Sequence, residues 1–252
     1  MRSAAVRFTS ARFTSARFTS ARHTSVRWAL ALFAALLGIS SAALAAGSFS
    51  VSPVRVDLRA GQTGGSIEVI NNGSAEIQLT VERFSWRAGA SGASGDQLEP
   101  TADFVASPPL FDLRPGERQV VRILFVRPAD PQRQLTYRIA LQESPARLPA
   151  TGLATVLRVT LPVFVTPPRA VPSLQWRRVD SPDGPFLEVE NRGDATAMLA
   201  GIRLDDAREL EGGSGYVLPG QTRRWRAPEL GRSIVVALPG GSTETVELHP
   251  QR

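Results

Sequence analysis

The sequence predicts an all-β protein made of two sandwich domains, and three observations lead there. From Phe49 onward, short runs of alternating or β-branched residues are separated by Gly, Pro and Asn signals. No long stretch repeats apolar residues at the helical spacing. A proline cluster at Pro167, Pro168 and Pro172 then divides the run of strands in two. Because proline fixes φ and biases the preceding residue toward extended geometry, the cluster reads as a stiff hinge, with a second domain starting near Ala170. The expected boundaries are 1–46 for a leader, 47–167 for the first β domain and 168–252 for the second.

The elements follow in order. "SFSVSPVRVDL" is a first strand interrupted by Pro53, which belongs at an edge or bulge. "GSIEVINNGSAEIQLTVERFSW" is strand, turn, strand; Asn71, Asn72 and Gly73 tolerate positive φ in a hairpin turn, and an inter-sheet corner would use them equally well. "AGASGASGDQLEP" is Gly/Ser-rich with no apolar anchor before Leu98, so a surface loop is expected. In "FVASPPLFDLRPGERQVVRILF", Pro115-Gly116 turns between a short strand and a longer one ending near Val126. "LTYRIALQES" places Tyr137, Ile139 and Leu141 on one face, and a loop from Pro145 to Gly152 leads into "LATVLRVTLPVFVTPP". In this last strand Leu153, Thr155, Leu157, Val159 and Leu161 form an almost wholly apolar row, against Ala154, Val156, Arg158 and Thr160 on the other face. Whether that row buries itself in its own domain or against another molecule is the main functional question. The second domain has strands at "SLQWRRVD", "PFLEVENRG", "AMLAGIRLDD", "GYVLPGQTRRWRAP" and "SIVVALPGGSTETVELH", with turns at Asn191-Arg192-Gly193-Asp194 and Pro239-Gly240-Gly241.

The net charge of +6 would suggest a nucleic-acid or membrane partner if it were spread over the fold. It is not. Of the 29 basic residues, six (Arg2, Arg7, Arg12, Arg17, Arg22 and Arg27) lie before residue 46, where no Asp or Glu occurs; without them 23 basic residues face 23 acidic ones. Nucleic-acid binding therefore loses its main support. Every basic residue is Arg, so chemistry that needs a lysine is excluded. The N-terminal segment carries a repeated "ARFTS" unit without apolar periodicity, then a positive flank and an apolar run from Trp28 to about Ile39, with Ala43 and Ala45 at an A-x-A cleavage position. This is the pattern of a signal peptide removed after Ala45 or Ala46, and the run is short for a membrane span of roughly 20 residues. Export is therefore expected. The export route permits disulfides, yet there is no cysteine, which also rules out thiol chemistry and Cys-based metal sites.

The catalytic inventory is thin. Histidine occurs only at His23, in the leader, and at His249, beside the C-terminus, so a Ser/His/Asp triad would have to recruit a tail residue. No G-x-S-x-G elbow, P-loop or G-x-G-x-x-G is present. Asp205, Asp206, Glu209 and Glu211 fall in a polar loop between strands and read as a solvated acidic turn rather than a calcium site. No enzymatic activity and no cofactor are expected.

The segments "SPVRVDLRAG", "NNGSAEIQLTVERFSW", "LRPGERQVVRIL", "LTYRIALQES" and, above all, "VLRVTLPVFVTPP" before a second β domain resemble, in order and over nearly the whole mature chain, the PapD-like periplasmic chaperones of pilus assembly. "LRVTLPVFV" is most similar to the archaic branch, whose operons often encode spore-coat-U-like subunits. The resemblance implies two immunoglobulin-like sandwiches in an L or boomerang arrangement and an ATP-independent function. Pilus or fimbrial subunits lack one strand of their sandwich; the chaperone lends its last domain-1 strand to fill the groove and delivers the subunit to an outer-membrane usher. On that reading Leu153, Leu157, Val159 and Leu161, with Thr155 a smaller member, enter the subunit. The resemblance also implies a basic pair that holds the subunit's C-terminal carboxylate. Its first member falls on Arg55; the second aligns with Pro162, which cannot serve, leaving Arg158 or Arg138 as substitutes, with Arg158 preferred. The family's interdomain arginine aligns with Thr166, so its ion-pair network is expected to be missing. The competing reading is a secreted two-domain adhesion or binding module in which the same strand is internal. The sequence leaves open whether the free protein caps its apolar strand by self-association.

Overall fold

The computed structural model describes residues 49–87, 96–127, 131–144, 156–205 and 208–248. The expected leader, the Gly/Ser-rich stretch 88–95, Leu153, Thr155, Asp206 and His249 lie outside the described residues. No helix occurs among the described residues; every element is a strand.

The first half contains β1 (Phe49–Ser52), β2 (Val56–Arg59), β3 (Gly64–Asn71), β4 (Ile77–Arg87), β5 (Gln97–Pro100), β6 (Phe104–Ser107), β7 (Leu110–Leu113), β8 (Arg118–Phe125), β9 (Leu135–Ser144) and β10 (Arg158–Thr166). Two sheets result, one ordered β1-β3-β8-β6, the other β2-β10-β9-β4-β5 with β7 also on β4. The interruption at Pro53 is therefore a change of sheet: β1 pairs with β3, and β2 crosses to lie parallel to β10. Between the sheets, alternate residues of every long strand supply one core, including Ile67, Val69, Leu79, Val121, Ile123, Ile139 and Leu141. Phe104, Phe125 and Tyr137 meet within it at centroid separations of 5.4 to 5.5 Å. The Tyr137 hydroxyl donates to Asp103 Oδ2 at 2.9 Å, and burial together with that carboxylate pushes the phenol's ionisation far up, so it remains a donor at neutral pH.

The second half contains β11 (Leu174–Val179), β12 (Phe186–Asn191), β13 (Ala197–Leu199), β14 (Gly201–Leu204), β15 (Gly215–Val217), β16 (Thr222–Arg226), β17 (Ser233–Ala237) and β18 (Thr243–Glu247). They form sheets β11-β12-β16, β13-β15 and β14-β17-β18 around a separate core of Leu187, Val189, Leu199, Ile202, Val217, Ile234 and Val236. "AMLAGIRLDD" is thus two strands that break at Ala200 and join different sheets. Glu188 is buried on β12 between Arg177 and Arg224, which both pair with it, so the charge is compensated in place.

Each half is fastened by the same corner. Asn71 ends β3 and leads into β4 of the other sheet, so the Asn71-Asn72-Gly73 turn is an inter-sheet corner and not a hairpin. The buried Asn71 amide donates to Ala75 O at 2.8 Å and Leu113 O at 2.9 Å, while its Oδ1 accepts from Gly73 N at 2.8 Å. Asn191 repeats this at the end of β12: Nδ2 donates to Ala195 O at 2.8 Å and Val217 O at 2.9 Å, and Oδ1 accepts from Gly193 N and Ser173 N, both at 3.0 Å. The second corner of each half is also shared. Gly116 N donates to Asn71 O at 2.9 Å and Gly220 N to Asn191 O at 2.7 Å. Both glycines need positive φ, 78° and 76°, which only glycine adopts without strain. The paired motifs are Asn71-Asn72-Gly73-Ser74-Ala75 with Leu113-Arg114-Pro115-Gly116-Glu117, and Asn191-Arg192-Gly193-Asp194-Ala195 with Val217-Leu218-Pro219-Gly220-Gln221.

Candidate functional site

β10 has two different neighbours along its length. On one side β9 accompanies it throughout, from Arg158 opposite Gln142 to Val165 opposite Leu135, and Glu143 N extends the ladder to Leu157 O at 2.9 Å. On the other side β2 pairs only with Val163 to Thr166. Among the described residues, nothing pairs with the β2 side of β10 from Arg158 to Pro162, so the strand enters the domain with one open backbone edge.

The inward row of β10 follows the same gradient. Val163 and Val165 are fully buried, and Leu161, only 4% exposed, also belongs to the protein's own core. Val159 is half-buried against that core, and Leu157 is 37% exposed. The expected apolar row therefore divides at Leu161. Contrary to the sequence expectation, Leu161 has no surface to give a partner, because it is enclosed with Val163 and Val165. Leu157 and Val159 extend past the point where β2 stops, and so lose their cover on that side. Leu153 and Thr155, the remaining members of the row, fall outside the described residues.

The two arginines expected to form a carboxylate anchor are not brought together. Arg55 stands just before β2, donates to Asp57 Oδ1 from Nε and Nη2 at 2.9 and 2.7 Å, and lies 4.7 Å over the Phe164 ring. Arg158 is six residues earlier along β10, about 20 Å at ~3.3 Å per residue, and pairs with Glu82 at 2.8 Å. Arg138 is the other candidate. It sits on β9 directly opposite Pro162, with its guanidinium 3.9 Å over the Trp86 ring, and Trp86 is 6.0 Å from Phe164. Arg55 and Arg138 thus border one aromatic pair. Strand position alone does not show this cross-strand register. The side chain of Arg138 is 18% exposed; Nη2 contacts Asp96 Oδ2 at 3.1 Å, and its enclosed Nε–H has no acceptor.

The aromatic pair continues into the second half. Phe164 and Trp86 are buried with Leu218, and Tyr216 closes the group at 5.5 Å from Trp86 and 5.8 Å from Phe164. Beside it, Gln134 joins the two halves. Its Nε2 donates to Thr166 Oγ1 at 2.8 Å, its Oε1 accepts from Thr196 N at 2.8 Å, and its backbone N donates to Asp194 O at 2.8 Å. A buried amide therefore works where the resemblance placed an arginine, at Thr166. The sequence drew no attention to Gln134, since a single polar residue at a strand entry carries no periodic signal.

The acidic turn is structural in its described part: Asp205 accepts from Arg232 N at 2.9 Å and from Ser233 N and Oγ at 3.1 and 2.7 Å. Among the described residues no cluster of three His, Asp or Glu side chains could hold a metal ion.

Comparison with known proteins agrees with this architecture. Residues 48–170 match the family model of the pili and flagellar-assembly chaperone PapD N-terminal domain. The chaperone protein FaeE of Escherichia coli is 27% identical over 172 residues, covering 68% of this chain and 60% of that protein, so the chain spans about three fifths of that relative's length. Among solved structures, the CsuC–CsuE chaperone–tip adhesion subunit pre-assembly complex from the archaic chaperone-usher Csu pili of Acinetobacter baumannii superposes with a TM-score of 0.64 at 18% identity, covering 81% of this chain and all of that one. The SafB chaperone in complex with the SafA pilin from Salmonella enterica gives 0.59 at 20% identity, covering 80% of this chain and 96% of that one. At those identities the likeness is one of fold: two β domains. Over residues 48–170, its first β domain, the chain is thus similar to the N-terminal domain of the PapD-like pilus-assembly chaperones.

Proposed function

We propose that the protein is a periplasmic chaperone that binds an incomplete pilus or fimbrial subunit by donor-strand complementation and delivers it to an outer-membrane usher. The observation that carries the reading is the open edge of β10 from Arg158 to Pro162, flanked by the uncovered Leu157 and half-covered Val159. A partner strand laid along that edge gains main-chain hydrogen bonds, and its groove gains the two side chains, at about 1.5–3 kcal/mol each when fully buried. Residues 47–167 act as the subunit-binding domain and 168–252 as the second sandwich, with residues 1–46 as the export leader. No catalytic step is needed, because the subunit's own folding supplies the driving force.

The test is co-export with a small secreted pilus subunit from the same organism, followed by size-exclusion chromatography with light scattering. A stable one-to-one complex is expected. Recovery of the free chain only would favour the adhesion-module reading, and a homodimer would show that copies cap one another's edge.

The same reading gives Arg55 and Arg138 the subunit's C-terminal carboxylate, a ligand that guanidinium donors suit because they can bind it in parallel pairs. Loss of a charge-assisted hydrogen bond costs about 1.5–3 kcal/mol, so Arg55→Ala or Arg138→Ala should lower subunit affinity by roughly 10- to 100-fold. Arg158→Ala should lower it far less, since its partner Glu82 leaves an exposed pair. Equal losses for Arg138→Ala and Arg158→Ala in a binding titration would overturn the Arg138 assignment.

A further inference from the structure

Arg138 has a counterpart in the other sandwich. Trp86, on whose ring Arg138 lies, meets Tyr216 edge-on. The carbonyl of Tyr216 accepts from Arg223 Nη1 at 3.3 Å. Arg223's other hydrogen bonds are equally long, to Ser214 O at 3.3 Å and Gly212 O at 3.4 Å, and its guanidinium lies 4.8 Å over the Trp225 ring. Arg138 thus lies on the Trp86 ring itself, while Arg223, from the other half of the chain, reaches the same group through the Tyr216 main chain. Burial depresses the ionisation of Arg223, and the carboxylate that opposes this is Asp96. That carboxylate is also the one on Arg138, at 3.1 Å.

Asp96 fits the place poorly. It reaches Arg138 only through Nη2 and leaves the enclosed Nε–H without an acceptor, whereas a carboxylate approaching side-on would take Nε and Nη2 together. Its own side chain is 39% exposed, so it can turn to water when displaced. We infer that Asp96 holds, in the free protein, the place of a partner's carboxylate between Arg138 and Arg223, so that the anchor is built from both β domains and Asp96 sets its affinity by competition. This rests on the reading of Arg138 as a carboxylate anchor, and the experiment separates the two.

The probe is acetate, with acetamide as the uncharged isostere, added at constant ionic strength to the exported protein. The signal followed is the Arg138 Nε–Hε resonance, assigned by its loss in Arg138→Lys. Acetate should shift it and acetamide should not. In Asp96→Asn the acetate midpoint should fall about fivefold, and in Arg223→Gln it should rise. If acetate acts with the same midpoint in the wild type and Asp96→Asn, the competition is overturned and the anchor stands. If acetate moves the resonance in neither protein, the anchor itself is overturned. An unchanged midpoint in Arg223→Gln would confine the site to the first domain and remove the two-domain part of the inference.

Discussion

Leu157→Asp should reduce subunit capture by at least about a thousandfold while leaving the free protein folded. In the complex the variant forfeits about 1.5–3 kcal/mol of apolar burial and must desolvate a carboxylate, which costs several kcal/mol more. In the free protein the same side chain is already 37% exposed, so the melting temperature should change by no more than a few degrees. Glu143 Oε2 lies 3.4 Å from Leu157 N, so the new charge meets a like one; Leu157→Gln removes that repulsion and should still weaken capture by one to two orders of magnitude. Leu161→Asp is the internal contrast. Four residues along the same row it would place a carboxylate inside the core, and the first sandwich should fail to fold. Circular dichroism melts of the free variants, beside capture by the purified subunit, distinguish the two positions. Loss of folding in Leu157→Asp would mean that Leu157 belongs to the core, and the open-edge reading would fall.

The second large effect is expected at the repeated corners. Asn191→Ala removes a fully buried side chain with four hydrogen bonds and leaves two carbonyls and two N–H groups without partners. At about 1 kcal/mol per bond, with the added cost of orphaned buried groups, the loss is roughly 3–5 kcal/mol, a large share of the 5–15 kcal/mol typical of a domain. Asn71→Ala, with three bonds, should cost slightly less. Denaturant melts followed by near-ultraviolet dichroism should localise the damage, because the stacked Trp176 and Trp225 report on the second sandwich and Trp86 on the junction. A loss below about 1 kcal/mol at both positions would show that water replaces the side chain and that the corners do not hold the sheets.

Much of the fold was legible because side-chain alternation has a period of two, which marks strands and their buried faces without knowledge of their partners. Tyr137, Ile139 and Leu141 were placed on the core face for that reason. The period does not say which sheet a strand joins. The change of sheet at Pro53, the break at Ala200 and the corner at Asn71 all went unassigned, since a turn residue serves a hairpin and a corner alike. β5 fell within a stretch expected to be a loop, because Gln97 to Pro100 is an exposed edge with no apolar alternation to reveal it. One signal was present and unused: the two Asn-x-Gly-x-Ala segments, each followed by a Pro-Gly turn, announce a duplicated corner. At the candidate site, the apolar row and Arg55 were visible, but where the row stops being covered depends on the length of β2. The choice between Arg138 and Arg158 depends on the alignment of β9 with β10. Both are facts of strand pairing, which no local pattern contains.

Gln134 joins the two sandwiches through an amide, a hydroxyl and main-chain groups. None of these titrates across the range in which proteins stay folded, and neutral bonds of this kind are little weakened by salt. The Gln134 fastening should therefore keep its strength in acid or brine, where the neighbouring guanidinium–carboxylate clasp, Arg133 Nε to Asp194 Oδ1 at 3.3 Å, would loosen. A compartment with little control over its own salinity or acidity is where such insensitivity matters most.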